Sequence, residues 1–418
     1  MSTQVTTLGS GLRIVTDYMS TVETASIGAW VAVGTRHEKP ELNGISHLLE
    51  HMAFKGTRRR SALAIAEEIE AVGGHLNAYT SRENTAYFAK VLKEDVPLAV
   101  DIIADILQHA TMEADELERE RAVVLQEIHQ SNDTPDDIIF DHFQLTAYPD
   151  QAMGRPVLGE AKLIEKLPRQ TVVDYMKGQY SASKVVVAAA GNVDHDTFVK
   201  LAEAAFCDLP EGAETTNEQV IYKGGDYREA RELEQVHVVL GLEGVSFKDP
   251  DYYPMSVLST LLGGGMSSRL FQEAREKRGL VYSIYSFISN FEDGGIFGIY
   301  AGTGRDEVVE LMPVICDEVR KLADQVGEDE LARAIAQLKS ATLMTLESTA
   351  SRSEQVARQL QIFDRVVPIT EVIENIEKVD AVAIKRTAAR MMATTPTLAA
   401  LGPTDKLADF ADVTARLS

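Results

Sequence analysis

His47-Leu48-Leu49-Glu50-His51 places two imidazoles four residues apart. On an α-helix that spacing puts both rings on one face, within reach of a single metal ion. Glu50 sits at the edge of the same face, where its carboxylate can reach a water at the metal without being a ligand. A Lewis acid, an activated water and a general base together equip a site for metal-assisted hydrolysis. On these five residues alone, an amphipathic helix with two polar core histidines remains an equal alternative.

A catalytic zinc site takes three protein ligands and keeps a fourth position open. Candidates for the third lie in Asp115 to Ile128, DELERERAVVLQEI, a run of strong helix formers. Thr111 is an N-cap candidate there, and Leu117, Val124, Leu125 and Ile128 recur at helical spacing. Glu120 and Glu127 are two turns apart and share one face, which suits a ligand and a residue supporting a ligand. The order H-x-x-E-H also inverts the commoner H-E-x-x-H, the mark of the inverzincin type of zinc peptidase.

The glutamate of VVLQEI follows His51 by 76 residues. With that spacing the chain resembles the pitrilysin or insulinase family, in particular its mitochondrial-processing-peptidase-like bacterial branch. GISHLLEHMAFKGT, GGHLNAYTSRENTAYFAKVL and ELERERAVVLQEI carry the resemblance, which spans nearly the whole sequence. It implies that His47, His51 and Glu127 bind one Zn2+ per chain, with Glu50 as base and Glu120 supporting the ligands. It further implies roles for Arg275 and Tyr282 in EAREKRGLVYS. In similar peptidases such a pair reaches toward the substrate carbonyl, where a cation and a phenol donor would stabilise an oxyanion. The stretch Leu76 to Thr80 resembles the family's edge strand, so Asn77, Ala78 and Tyr79 are expected to bind substrate, chiefly through backbone hydrogen bonds.

Composition is compatible with this picture. A chain of 418 residues exceeds what one hydrophobic core usually organises. Its 45% hydrophobic and 25% charged residues are ordinary for a soluble globular protein. The net charge of −23 argues against nucleic acid and permits attraction of basic peptides. No apolar run is long enough for a membrane span, and the first ten residues have no signal-peptide pattern, so a cytoplasmic location is expected. Cys207 and Cys316 are read as two buried free thiols, and Lys55 to Arg60, KGTRRR, as a solvated loop.

Along the chain, β and α patterns alternate twice. A helix is expected over 43–54, another over 61–72 ending at Gly73-Gly74, and strands over 75–80 and 84–91 around Ser81-Arg82-Glu83. One helix is expected over 113–145 and a strand over 184–191. The pattern resumes after residue 231, with AIAEEIEAVGGHLNAYTS and RLFQEAREKRGLVYSIYSF in equivalent places. Where the first copy has HLLEH, the second has Leu258 to Gly265, LSTLLGGG, whose glycines read as a helix C-cap.

The expected fold class is α/β (α+β), in two homologous domains. Each would be a mostly antiparallel mixed sheet packed against helices, and by the resemblance the two would form half of a clam-shell chamber. The expected boundaries are 1–212 for the zinc-binding catalytic domain, 213–231 for a linker, and 232–418 for a metal-free homologue. The expected function is a zinc metalloendopeptidase that cuts unfolded or extended peptides, by attack of a zinc-bound water with Glu50 as base. The chain is expected to work as a homodimer. The alternatives are a noncatalytic structural subunit, or the catalytic subunit of a heterodimer with a zinc-free partner.

Overall fold

The protein is described from a computed structural model covering residues 2–212 and 217–418. Residues 213–216, within the expected linker, lie outside the described residues. Two compact units emerge. The first comprises residues 1–130, 155–218 and 344–366, and the second residues 131–154, 219–343 and 367–418.

The first unit holds strands β1 (Ser2–Thr7), β2 (Arg13–Tyr18), β3 (Thr24–Val31), β4 (His75–Thr80), β5 (Thr85–Leu92) and β6 (Val185–Gly191). Their order is β1-β2-β6-β3-β5-β4. The β2/β6 pair is parallel, and the other pairs are antiparallel. The second unit holds β7 (Gly225–Ala230), β8 (Val236–Glu243), β9 (Val281–Asn290), β10 (Gly295–Thr303) and β11 (Thr397–Gly402). Their order is β7-β11-β8-β10-β9, again with one parallel pair, β7/β11. Setting β2, β6, β3, β5 and β4 against β7, β11, β8, β10 and β9 reproduces every pairing and direction. The expected duplication, with a mostly antiparallel mixed sheet against helices in each copy, is the observed architecture.

The helices follow a less local rule. Helix Thr349–Phe363, late in the sequence, packs on β2, β3 and β6 of the first unit. Its Val356, Ala357 and Leu360 bury against Val15, Trp30, Val186 and Ala188. Helix Pro135–Ala147, early in the sequence, packs on β7, β8 and β11 of the second unit. There Ile139, Phe143 and Ala147 bury against Val239, Ala399 and Leu401. Each sheet is therefore covered on both faces. That is why β6, VVVAAAG, reads as a continuous apolar run and not an alternating one.

Several local expectations change. The single helix over 113–145 is two, Ala114–Asn132 and Pro135–Ala147. Proline disfavours helical backbone in the residue before it, and Thr134 is extended at φ −109°, ψ 97°. The stretch expected as a linker ends in a strand, β7, whose partner β11 lies far along the chain. KGTRRR is solvated only in part, with Arg58 and Arg59 exposed. Thr57, Arg59 and Arg60 all bond Asp105, which is 1% exposed, and Arg60 also bonds Asp101 and Glu68. Of the two free cysteines, Cys316 is buried but Cys207 is exposed. No helix among the described residues is long and apolar enough to cross a membrane.

Candidate metal centre

The helix carrying the histidine pair runs Ile45–Ala53 and starts from Gly44 at φ 94°, a left-handed conformation that suits glycine. A Cβ at this position would meet Gly159 Cα and the Leu158 carbonyl oxygen at 2.8 Å. Glu38 holds the entry from inside the fold. Its carboxylate, on a residue 4% exposed, accepts hydrogen bonds from Asn43 Nδ2 (3.0 Å), Gly44 N (2.9 Å) and Ser46 N (2.8 Å). It thus satisfies N–H groups left without partners at the helix start and places negative charge at the positive end of the helix dipole. Burial raises the Glu38 carboxyl, and these hydrogen bonds oppose the shift.

The His47 and His51 rings stand 4.7 Å apart between centroids on the resulting helix face. Glu127, on helix Ala114–Asn132, brings one carboxylate oxygen to 3.5 Å from Nε2 of each ring. One ligand atom from each of the three residues falls within a 4.8 Å set. Zinc bonds of about 2.0–2.2 Å in a tetrahedron put neighbouring ligand atoms about 3.3 Å apart, so this trio fits zinc in size and donor chemistry.

The surroundings orient the trio. Glu120 Oε2 accepts from His51 Nδ1 at 3.0 Å; a carboxylate can only accept, so Nδ1 carries the proton and Nε2 keeps its lone pair toward Glu127. His47 Nδ1 is buried and has no hydrogen-bond partner. Burial pushes the His47 imidazole down to about 4, and neighbouring His51 adds to the effect. The ring is therefore neutral at physiological pH, the form a metal ligand requires.

Glu50 lies one residue before His51 and accepts a 2.6 Å hydrogen bond from Thr80 Oγ1 at the end of β4. Burial raises its carboxyl above the usual range; Thr80 and His51 oppose the shift, and Glu127 reinforces it. A carboxylate beside the trio, not one of its ligand atoms, and easier to protonate than usual has the properties of a general base.

β4 lies at the edge of its sheet and, among the described residues, pairs only with β5. Leu76 and Ala78 pack toward the core that includes the histidine helix. Tyr79 turns to the opposite face, where its hydroxyl donates to Glu354 at 2.9 Å. Asn77 shares that second face by the period of two, and its Oδ1 accepts from Ala78 N at 2.8 Å. The backbone edge of the strand is thus available, while the Asn77 and Tyr79 side chains point away from the histidine helix.

Arg275 and Tyr282 belong to the second unit. Arg275 sits on a π-helical turn, Phe271–Glu276, with its guanidinium 4.7 Å from the Phe271 ring centroid and 5.5 Å from that of Tyr282. No carboxylate pairs with it among the described residues, so its donors remain uncommitted. Tyr282 is 79% exposed. Gly264 caps the preceding helix Tyr252–Gly263, donating to Thr260 O, as expected of the glycine run. Thr80, Glu38 and Lys55, whose ammonium meets Glu120 at 2.7 Å, also belong around the centre. Nothing in their sequence spacing ties them to it, because each contact crosses between separate elements or a loop.

Two family models match the chain. One, described as insulinase (peptidase family M16), covers residues 13–161, and one described as peptidase M16 inactive domain covers residues 166–338. An uncharacterized zinc protease of Streptomyces coelicolor is 39% identical over 408 residues, spanning 95% of this chain and 89% of the relative. A probable mitochondrial-processing peptidase subunit beta of Arabidopsis thaliana is 38% identical over 98% of this chain and 80% of the relative. Among solved structures, a peptidase M16 inactive domain from Pseudomonas fluorescens superposes with a TM-score of 0.90 at 20% identity. It covers 98% of this chain and 99% of that one, a likeness of fold alone.

Proposed function

This chain belongs to the insulinase family of peptidases, family M16, and from that premise we propose that it is a zinc-dependent endopeptidase acting on unfolded or extended peptides. The observation that carries the reading is the convergence of His47, His51 and Glu127 beside Glu50, a carboxylate that is not one of the three. His47, His51 and Glu127 would hold one zinc, which when bound supplies the Lewis acid that polarises the scissile carbonyl. Glu50 takes a proton from the attacking water and delivers it to the leaving amine as the C–N bond breaks. Its raised carboxyl suits it to carry that proton between the two steps. Substrate backbone pairs along the free edge of β4, where the small Ala78 leaves room for its approach. Arg275 and Tyr282 are assigned to the developing oxyanion, from the same chain or from a second copy in a homodimer.

The name of the Arabidopsis relative, a subunit beta, supports a second reading, a catalytic chain that needs a zinc-free partner. The net charge of −23 supports basic peptides as substrates, and a cytoplasmic location is part of the same proposal. The decisive variant is Glu50→Gln, which keeps the side chain's shape and removes its proton-accepting capacity. Zinc content should stay at wild-type level while hydrolysis of a quenched basic peptide falls at least about a hundredfold. Cleavage at a near wild-type rate would remove Glu50 from the base's role. Activity of the purified chain alone, abolished by chelator, supports the homodimer; activity only with a partner supports the second reading.

A further inference from the structure

We propose that Lys55 is a positioning residue for the metal centre, holding Glu120 so that His51 presents Nε2 to the metal. The proposal rests on the zinc reading above. Glu120 is 6% exposed, and its two oxygens are divided between two partners. Oε2 accepts from His51 Nδ1 at 3.0 Å, and Oε1 forms an ion pair with the Lys55 ammonium at 2.7 Å. No other side chain bonds either oxygen among the described residues. A buried carboxylate needs a charged or hydrogen-bonding partner on both sides. Without Lys55, this one faces only a neutral imidazole and gains by turning toward solvent, which releases His51 from its orientation.

Lys55 is itself held at both ends of its loop. It follows the histidine helix by two residues and donates its backbone N–H to Met52 O at 3.2 Å, so it moves with the helix that carries His51. Just beyond, Thr57 Oγ1 donates to Asp105 Oδ2 at 2.7 Å, and Arg60 reaches Asp105 and Asp101 at 2.9 and 2.5 Å. Helix Val96–His109 thereby clamps the loop that delivers the ammonium. A lysine just past a helix C-terminus is usually a solvated residue that favours the helix dipole. Lys55 departs from that pattern because its side chain is 30% exposed and ends on a carboxylate only 8% exposed.

The test measures zinc affinity of the full-length chain by competition with a chromophoric chelator, without reference to turnover. Lys55→Met should weaken zinc binding by about ten- to a hundredfold, the usual cost of losing a partner behind a metal ligand. Glu120→Gln should cost a similar factor, and the double variant no more than the worse single one, because Lys55 acts through Glu120. Lys55→Arg should recover most of the affinity. Affinity of Lys55→Met within about twofold of wild type, or losses that multiply in the double variant, overturns the proposal. Failure of the metal-free Lys55→Met chain to fold also overturns it, since the role would then be structural. If the wild-type chain takes up no zinc, the functional reading fails instead.

Discussion

Helices Ile45–Ala53 and Tyr252–Gly263 follow equivalent strands, β3 and β8, yet the two units anchor them by opposite means. The first helix is entered over the buried Glu38 carboxylate, and it presents His47, Glu50 and His51. The second is entered through Asp249 and Asp251, which pair with the half-exposed side chains of Arg386 and Arg390. It buries Leu258, Leu261 and Leu262 where the first carries chemistry. One contact survives in altered form: Thr80 on β4 bonds Glu50, and Ser286 on β9 bonds Ser259 at 3.0 Å. The same scaffold therefore either holds a polar cluster braced by neighbouring groups or fills the place with leucine. The fold is common to both units, and the candidate metal trio is confined to a few side chains of the first.

The comparison breaks most visibly at the ligands. His47→Ala, His51→Ala or Glu127→Ala should lower zinc content and reduce peptide hydrolysis by at least about a thousandfold. Ser259→Ala, at the second unit's counterpart of Glu50, should leave zinc content untouched. Arg275→Ala should also keep the zinc but lower turnover by about ten- to a thousandfold. Metal analysis beside turnover separates these cases. Full zinc in Glu127→Ala, with loss in Glu120→Ala, would exchange the roles of the two glutamates, and unchanged turnover in Arg275→Ala would leave the second unit without a catalytic part.

Next in size is the helix each unit draws from the other half of the sequence. Arg352, on helix Thr349–Phe363, meets Asp17 at 2.9 Å, with both side chains nearly buried. Removing one member of such a pair leaves the other uncompensated, so Arg352→Met should cost about 3–5 kcal/mol in urea unfolding. Phe143 on helix Pro135–Ala147 packs over Gly241 of β8, where a Cβ would meet its ring at 2.3 Å. Phe143→Ala should cost a similar amount through cavity formation. A cost below about 1 kcal/mol for Arg352→Met would show that apolar contacts alone hold the first unit's borrowed helix.

These borrowed helices also mark where the sequence stopped being readable. That His47 and His51 stand together was legible because helical periodicity puts them on one face; spacing alone left Glu120 and Glu127 equivalent, and only the family resemblance singled out Glu127. The duplication was legible in a repeated helix-glycine-strand pattern. Strands β1, β7 and β11 carried no comparable signal; β7, for one, pairs with β11 across about 170 residues. Lys55 lay inside a basic run whose charge suggested solvent, while its neighbours Arg59 and Arg60 had acidic partners some 40 residues away. Local pattern reveals faces of elements; it does not reveal which distant element covers them.

Acid should act on the loop entering the histidine helix. Burial pushes His37 down to about 4; a contact with the Gly34 carbonyl opposes the shift, and Lys184 and Arg36 reinforce it. A folded value below the unfolded one of about 6.5 means the unfolded chain takes the proton first. The stability tied to neutral His37 is therefore complete above about pH 6.5 and is lost as the pH falls toward 4, by on the order of 3 kcal/mol at most. Urea midpoints between pH 7 and 4.5 should fall less steeply for His37→Gln than for wild type. Parallel slopes would show that other groups govern acid sensitivity.

The smallest effect is expected at Tyr79, the link between the proposed peptide-binding edge and the borrowed helix. Its hydroxyl donates to Glu354 at 2.9 Å, and its ring lies 6.1 Å from that of Phe88. Tyr79→Phe keeps the ring and removes one hydrogen bond to a charged acceptor, so the stability cost should be about 1–2 kcal/mol. Because Tyr79 faces away from the histidine helix, zinc content and kcat should not change. If peptide pairs with the β4 backbone, loosening the strand should raise KM by a few-fold with kcat constant. A fall in kcat instead would mean that the Tyr79 side chain meets the reacting atoms, contrary to its position on the far face of the strand.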